Sequence, residues 1–159
     1  LDIEFELIKH EPMFKSNDLA EEFKDVDMLD IKNLFLRDSK GKSHYLVIMP
    51  YLKPLDIKSL AEKIGTKRMS FASRERLMKY LNVEPGAVSV FNLINDDLHE
   101  VIVIVDQATF SHHRVGFHPN INTETLIFSR EDLKKLKLVN NIGEKTLNPF
   151  LFVPAEKYC

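Results

Sequence analysis

Cysteine is almost missing from this chain. The single instance, Cys159, is the last residue, so no internal disulfide can form, and a frayed terminus is a poor seat for a nucleophile. A chain without disulfides fits a reducing compartment, and a cytoplasmic location is expected. Long apolar runs are missing too: nothing approaches the roughly 20 residues that cross a bilayer, and no signal-peptide pattern opens the sequence. The five glycines form no phosphate-cradling P-loop or dinucleotide turn, which argues against a nucleotide cofactor. No cysteine pair or helical His-Glu-x-x-His offers a zinc site, and no Gly-x-Ser-x-Gly elbow offers an activated serine. A net charge of -2 argues against a generic nucleic-acid binder. The first residue is Leu1 rather than methionine, which leaves open a module cut from a larger product.

What is present describes an ordinary globular chain. With 159 residues, 44% hydrophobic and 29% charged, one domain spanning 1–159 is expected, able to bury roughly two-thirds of its unfolded surface. Charge is unevenly spread. Residues 1–30 hold ten acids against three lysines, whereas residues 56–80 hold seven bases against three acids. Such asymmetry can orient a polyanion, although taken alone it is better explained by a pair of solvated helices.

Alternation predicts strands at 3–8, 31–36 and 44–49, the last two joined by the polar turn Asp38-Ser39-Lys40-Gly41-Lys42. Ser16 or Asn17, Asp56, Ser73 and Ser129 are placed to cap helices, and Gly65 to end one. Met69–Phe71, Arg114–His118 and Thr123–Phe128 read as further extended segments. Val88–Ile94 and Val101–Val105 read as a pair of strands around Asn95-Asp96-Asp97, and Phe150–Val153 as a closing strand. Strands joined by hairpins and interrupted by helices imply a mixed α+β domain with a curved sheet.

Within Ile31–Leu36, Lys32 shares a face with Leu34 and Leu36, while Ile31, Asn33 and Phe35 face the other way. An ammonium above apolar neighbours is either snorkelling to water or held for a task. Downstream, Gly116-Phe117-His118-Pro119 combines a residue permitting close backbone approach, a ring able to donate or accept near neutral pH, and a proline that keeps His118 extended. Lys32, Asn33 and His118 together suit a scheme in which a fixed cation, an amide and an imidazole position a water. A metal site is the weaker reading of the histidines. In a strand His112 and His113 would face opposite ways, so at most one could join His118, with Asp106 nearby.

These blocks carry a resemblance. Lys32–Leu36, Lys67–Ser73, Val90–Asp96 and Phe117–Asn122, in this order and spacing, make the chain resemble the YbaK/prolyl-tRNA-synthetase-associated editing domains from about His10 to Leu138. Its nearest likeness there is to the free-standing deacylases that clear alanine from proline tRNA. The resemblance implies an α+β fold: a mixed, mostly antiparallel sheet curved into an open barrel with helices around it. It implies hydrolysis of an aminoacyl ester by water, with Lys32, Asn33 and His118 catalytic. Phe91, Gly116, Phe117 and Pro119 would bind substrate. No cofactor or metal is implied; the partners are tRNA(Pro) mischarged with alanine and prolyl-tRNA synthetase, with no membrane. Relatives embedded in synthetases separate glycine and proline by three residues in the loop, where Gly116 and Pro119 are separated by two. Deacylation of Cys-tRNA(Pro) or another aminoacyl-tRNA, or a non-catalytic regulator that binds an aminoacyl-tRNA or amino acid, are the alternatives.

Overall fold

In the computed structural model, which describes residues 4–11, 23–119, 121, 123–135 and 151–153, the sheet is organised around one long strand. A short strand, β1 (Phe5–Lys9), comes first in the chain, and the alternating stretch around Lys32 then forms β2 (Leu29–Asp38). The turn at 39–43 sends the chain back as β3 (His44–Pro50), antiparallel to β2 with Lys32 opposite Met49 and Asn33 opposite Ile48. Gly41 takes a positive φ of 66° in that turn, which a side chain would disfavour. Then follow α1 (Ile57–Ile64), β4 (Met69–Phe71), α2 (Arg74–Leu81), β5 (Val101–Asp106), β6 (Arg114–Phe117), β7 (Glu124–Ser129), α3 (Arg130–Lys135) and β8 (Leu151–Val153).

The strand order is β1-β7-β6-β2-β3-β5-β8, with β4 also paired to β2. Four pairings are antiparallel (β1–β7, β6–β7, β2–β3, β2–β4) and three parallel (β2–β6, β3–β5, β5–β8). The architecture is the mixed, mostly antiparallel α+β fold expected from the sequence, and the sheet stays open, since no pairing joins β1 to β8 among the described residues.

Both faces of the central sheet are covered. Ile31, Phe35, Leu46 and Ile48 pack with Leu77, Tyr80 and Leu81 of α2 and with Val115, Phe117 and Phe128. Leu36, Tyr45, Val47 and Met49 pack instead with Leu60 and Ala61 of α1. Central β3 is therefore buried on both sides and reads as a continuous apolar run. The helix limits follow from their caps. The Asp56 carboxylate accepts from the Ser59 amide at 3.0 Å, a cap worth about 1 kcal/mol. Gly65 ends α1 in the left-handed region at φ 79°.

One expected pairing does not form. Val88–Ile94 is not a strand partner of Val101–Val105: Val90–Asn95 winds into a 3-10 helix, and β5 runs parallel to β3. Ser89 and Asn92 close a capping box, with the Ser89 amide donating to Asn92 Oδ1 at 2.6 Å, which bends the chain where alternation alone implied extension. The Asp96 carboxylate then accepts from the Glu100 and Val101 amides, making 96–101 a loop rather than a hairpin turn. The helix expected after Ser16 or Asn17, and Phe150 of the closing segment, lie outside the described residues.

Candidate functional site

On its outer edge β2 is shared by two strands that do not meet. Leu29 and Asp30 pair with Val115 and Gly116 of β6, and Leu36–Asp38 pair with β4. Between them, residues 31–35 have no neighbouring strand on that edge among the described residues. The Phe35 carbonyl accepts from the Ala72 amide, and the Asp30 carbonyl, on the opposite edge, accepts from Tyr51. Peptide groups alternate edges along an antiparallel strand, so the N–H and C=O of Ile31 and Asn33 point into the gap. Strands diverging from a common neighbour open the kind of crevice in which ligands sit.

Side chains flank this gap from both faces. Two residues beyond the paired Asp30 and Gly116 stand Lys32 and His118, on the same face of the sheet. Lys32 Nζ donates to the carbonyl of Lys53 at 2.5 Å, and burial pulls its ammonium below the usual lysine range. The ammonium is thus held, with donor capacity left over. Lys53, which presents that carbonyl, is anchored in turn: its Nζ donates to Asp106 Oδ2 at 2.7 Å, and Asp106 is only 3% exposed. Asp30 lies on the Lys32 face as well, and burial raises its carboxyl above the ordinary range.

His118 follows the end of β6. Its Nδ1 lies 3.2 Å from the Glu124 carbonyl and 3.5 Å from Thr125 Oγ1. A carbonyl only accepts, so Nδ1 carries the proton and Nε2 presents a lone pair. Burial is the main cause that pushes this imidazole below 6.5, with His10 adding to it and the Glu124 hydrogen bond opposing. The His10 ring sits 6.0 Å away and its Nε2 is 3.0 Å from Thr125 Oγ1. The carbonyl of His118 accepts from the buried Ser89 hydroxyl at 2.6 Å, which fixes the backbone just before Pro119. Gly116 sits in a tight place: a Cβ there would lie 2.8 Å from Met28 Sδ and 3.2 Å from Thr125 Cγ2.

The structure divides the residues that the sequence singles out. Lys32, Gly116 and His118 share one face. Asn33 lies on the other, with its Oδ1 buried and without a hydrogen-bond partner. Phe117 also lies there, 2% exposed inside the core, and Phe91 packs at that core's edge with its ring 6.2 Å from Phe117. Sequence reasoning missed Asp30, whose parity with Lys32 could have marked it. It missed His10, Thr125 and Lys53 for want of any local signal, and it read Asp106 only as a neighbour of a candidate metal site, not as the anchor of Lys53. Of the bases in 56–80, Arg74 is paired with Glu84, Arg76 donates to Gly41 and His44, and Lys79 lies over the Tyr80 ring.

Residues 10–136 match the family model of the aminoacyl-tRNA editing domain. A prolyl-tRNA editing protein, ProX, of Acetoanaerobium sticklandii is 42% identical over 141 residues, covering 88% of this chain and 85% of the relative. Prolyl-tRNA synthetase associated domain-containing protein 1 of Bos taurus is 29% identical, covering 90% and 84%. Among solved structures, a candidate trans-editing enzyme for prolyl-tRNA synthetase superposes with a TM-score of 0.65 at 13% identity, covering 84% of this chain and 80% of that one, a likeness of fold alone. No described helix is long and apolar enough to cross a membrane. With its match running through β2, the gap and the His118 segment, the chain belongs to the aminoacyl-tRNA editing domain family, and its activity class is aminoacyl-tRNA deacylation.

Proposed function

We propose that the protein is a trans-acting editing enzyme that hydrolyses alanine from mischarged tRNA(Pro), using Lys32, Asn33 and His118 around the open edge of β2. The observation that carries this reading is that edge itself: a run of β2 that, among the described residues, has no strand beside it, with a held cation on one face and an amide oxygen without a described partner on the other.

An aminoacyl ester is already activated, so its hydrolysis needs orientation, a water and stabilisation of charge growing on the carbonyl oxygen. An ester lying in the plane of the gap would meet groups from both faces, which suits the division of Lys32 from Asn33. The Lys32 ammonium stabilises the developing oxyanion or the terminal phosphate. Buried Asn33 Oδ1, costly to leave unpaired, accepts from the α-ammonium of the amino acid. His118 Nε2 accepts a proton from the attacking water or a ribose hydroxyl. The Gly116–Pro119 segment closes the site, and Phe91 and Phe117 stiffen its floor from the core side.

Selection by size explains why such a site is needed. A pocket built for proline rejects a smaller amino acid by only about 1–3 kcal/mol per missing methylene, so a second site that admits only small groups restores accuracy. The partners are accordingly Ala-tRNA(Pro) and prolyl-tRNA synthetase, the setting is the cytoplasm, and no cofactor is required. The test is release of amino acid from Ala-, Cys- and Pro-charged tRNA(Pro). Alanine should be released preferentially, and Lys32→Ala should lower that release by about 100-fold or more, the scale of losing one charge-stabilising donor. Preferential release of cysteine would move the specificity, binding without release would make the protein a regulator, and full turnover by Lys32→Ala would remove Lys32 from the mechanism.

A further inference from the structure

At the opposite end of β6 from His118, three side chains from distant parts of the sequence converge. His112 Nε2 lies 3.3 Å from Asp27 Oδ1, and His113 Nε2 lies 3.0 Å from Asp27 Oδ2. The two imidazoles stack with centroids 4.7 Å apart and planes 19° apart. Facing opposite ways would be required only in a strand. Residues 111–113 form a bend before β6, and both rings turn to the same side, toward Asp27. The three donor atoms lie within 4.8 Å of one another, the one such group of metal-ligating side chains among the described residues.

We propose that Asp27, His112 and His113 form a binding site for a divalent transition-metal ion of the zinc type, serving as a structural staple. Two imidazole nitrogens and one carboxylate oxygen make a donor set suited to zinc and its neighbours rather than to magnesium or calcium. Ligands at about 2.0–2.1 Å in a tetrahedron stand roughly 3.3–3.4 Å from each other, close to the two nitrogen–oxygen separations here. These two contacts run to different oxygens of Asp27, so binding through one oxygen takes a small turn of the carboxylate and a closer approach of the two nitrogens; His113, 62% exposed, has room to swing. The bonding behind His112 fits as well: its Nδ1 is 3.0 Å from the Arg114 carbonyl and 3.3 Å from the Arg114 amide. Coordination through Nε2 selects the first arrangement, with Nδ1–H donating to the carbonyl, the outer-shell contact that usually orients a metal-bound histidine.

The whole of β6, four residues and roughly 13 Å of extended strand, separates the site from His118. The ion therefore takes no part in ester hydrolysis. Its effect is on Asp27–Met28, the segment entering β2. Met28 packs over Gly116, and the next two residues make the whole of the β2–β6 pairing. Tying Asp27 to the residues that precede β6 clamps both sides of that two-residue seam.

Zn2+ alone, titrated calorimetrically into the full tag-free chain after chelator treatment, is expected to bind one to one, with Co2+ showing the absorption of a tetrahedral nitrogen–oxygen site. Asp27→Asn should weaken binding more than about tenfold, and His112→Ala/His113→Ala about a hundredfold or more. Zn2+ should raise the melting temperature of the parent chain and leave that of the double variant unmoved. Asp27 is 66% exposed, so Asp27→Asn should fold even if the double variant does not. Absence of binding at micromolar protein, or equal binding by the parent and Asp27→Asn chains, overturns the site.

Discussion

Replacing Gly116 with alanine tests whether the packing over the β2–β6 seam is as tight as the geometry requires. The new methyl carbon would lie 2.8 Å from Met28 Sδ and 3.2 Å from Thr125 Cγ2. Optimal contacts are nearer 3.5–4.0 Å, so the overlap is about 1 Å with the sulphur and a few tenths with the threonine methyl. Met28 is unbranched and only half-buried, so it can swing aside; Thr125 is β-branched and 2% exposed, and cannot. Overpacking of this kind costs about 1–3 kcal/mol, and the flexible methionine puts the cost near 1–2. Loss of glycine's freedom in the unfolded chain returns about 0.4–1 kcal/mol. The net expectation is a loss of about 1 kcal/mol, read as a lower urea midpoint with an unchanged slope. In a Met28→Ala background the main overlap is gone, and the same substitution should be neutral or slightly stabilising. The resulting coupling of about 1–2 kcal/mol exceeds the roughly 0.5 kcal/mol scatter of independent sites. Turnover should fall too, because Thr125 Oγ1 is 3.0 Å from His10 Nε2 and 3.5 Å from His118 Nδ1. If Gly116→Ala costs the same with and without Met28, the reasoning about that contact is wrong.

Three other outcomes are expected. His118 must be neutral to accept a proton at Nε2, and its pKa lies below 6.5, so kcat/KM should stay flat above that pH and fall on acidification, and His118→Gln should abolish this limb. His44 is fully buried and its pKa is pushed down to about 4 by burial and by the neighbouring Arg76. Between pH 6.5 and 4 the unfolded chain therefore binds a proton that the folded one refuses. Stability should be complete above pH 6.5 and fall toward pH 4 by on the order of 3 kcal/mol, and His44→Leu should flatten urea midpoints measured across that range. Lys67 and Arg68 are exposed in the loop before β4, and replacing both with glutamate should raise KM for tRNA, reduce its salt dependence and leave the melting temperature within a degree or two.

Local chemistry made much of the fold readable. The β2–β3 hairpin, the limits of α1 at Asp56 and Gly65, and the start of α3 at Ser129 all depend on residues a few positions apart. Opposite faces for Lys32 and Asn33 also followed from alternation alone. The pairing of β5 with β3 did not, because a parallel partner leaves no mark in the turn between strands. Val88–Ile94 misled because its apolar spacing fits a strand, while Ser89 and Asn92 act together through capping bonds. The Lys32–Lys53–Asp106 chain spans more than 70 residues, and Asp27 meets His112 across 85, distances at which only the folded topology brings partners together.

Since β4 and β6 hang separately from one strand, the breadth of the opening between them depends on their splay. Lengthening the connections at 65–68 into β4 or at 72–73 out of it would alter that splay while leaving the apolar interior intact. Acceptance of bulkier aminoacyl groups could then drift among relatives through loop length, with every residue that touches the ester unchanged.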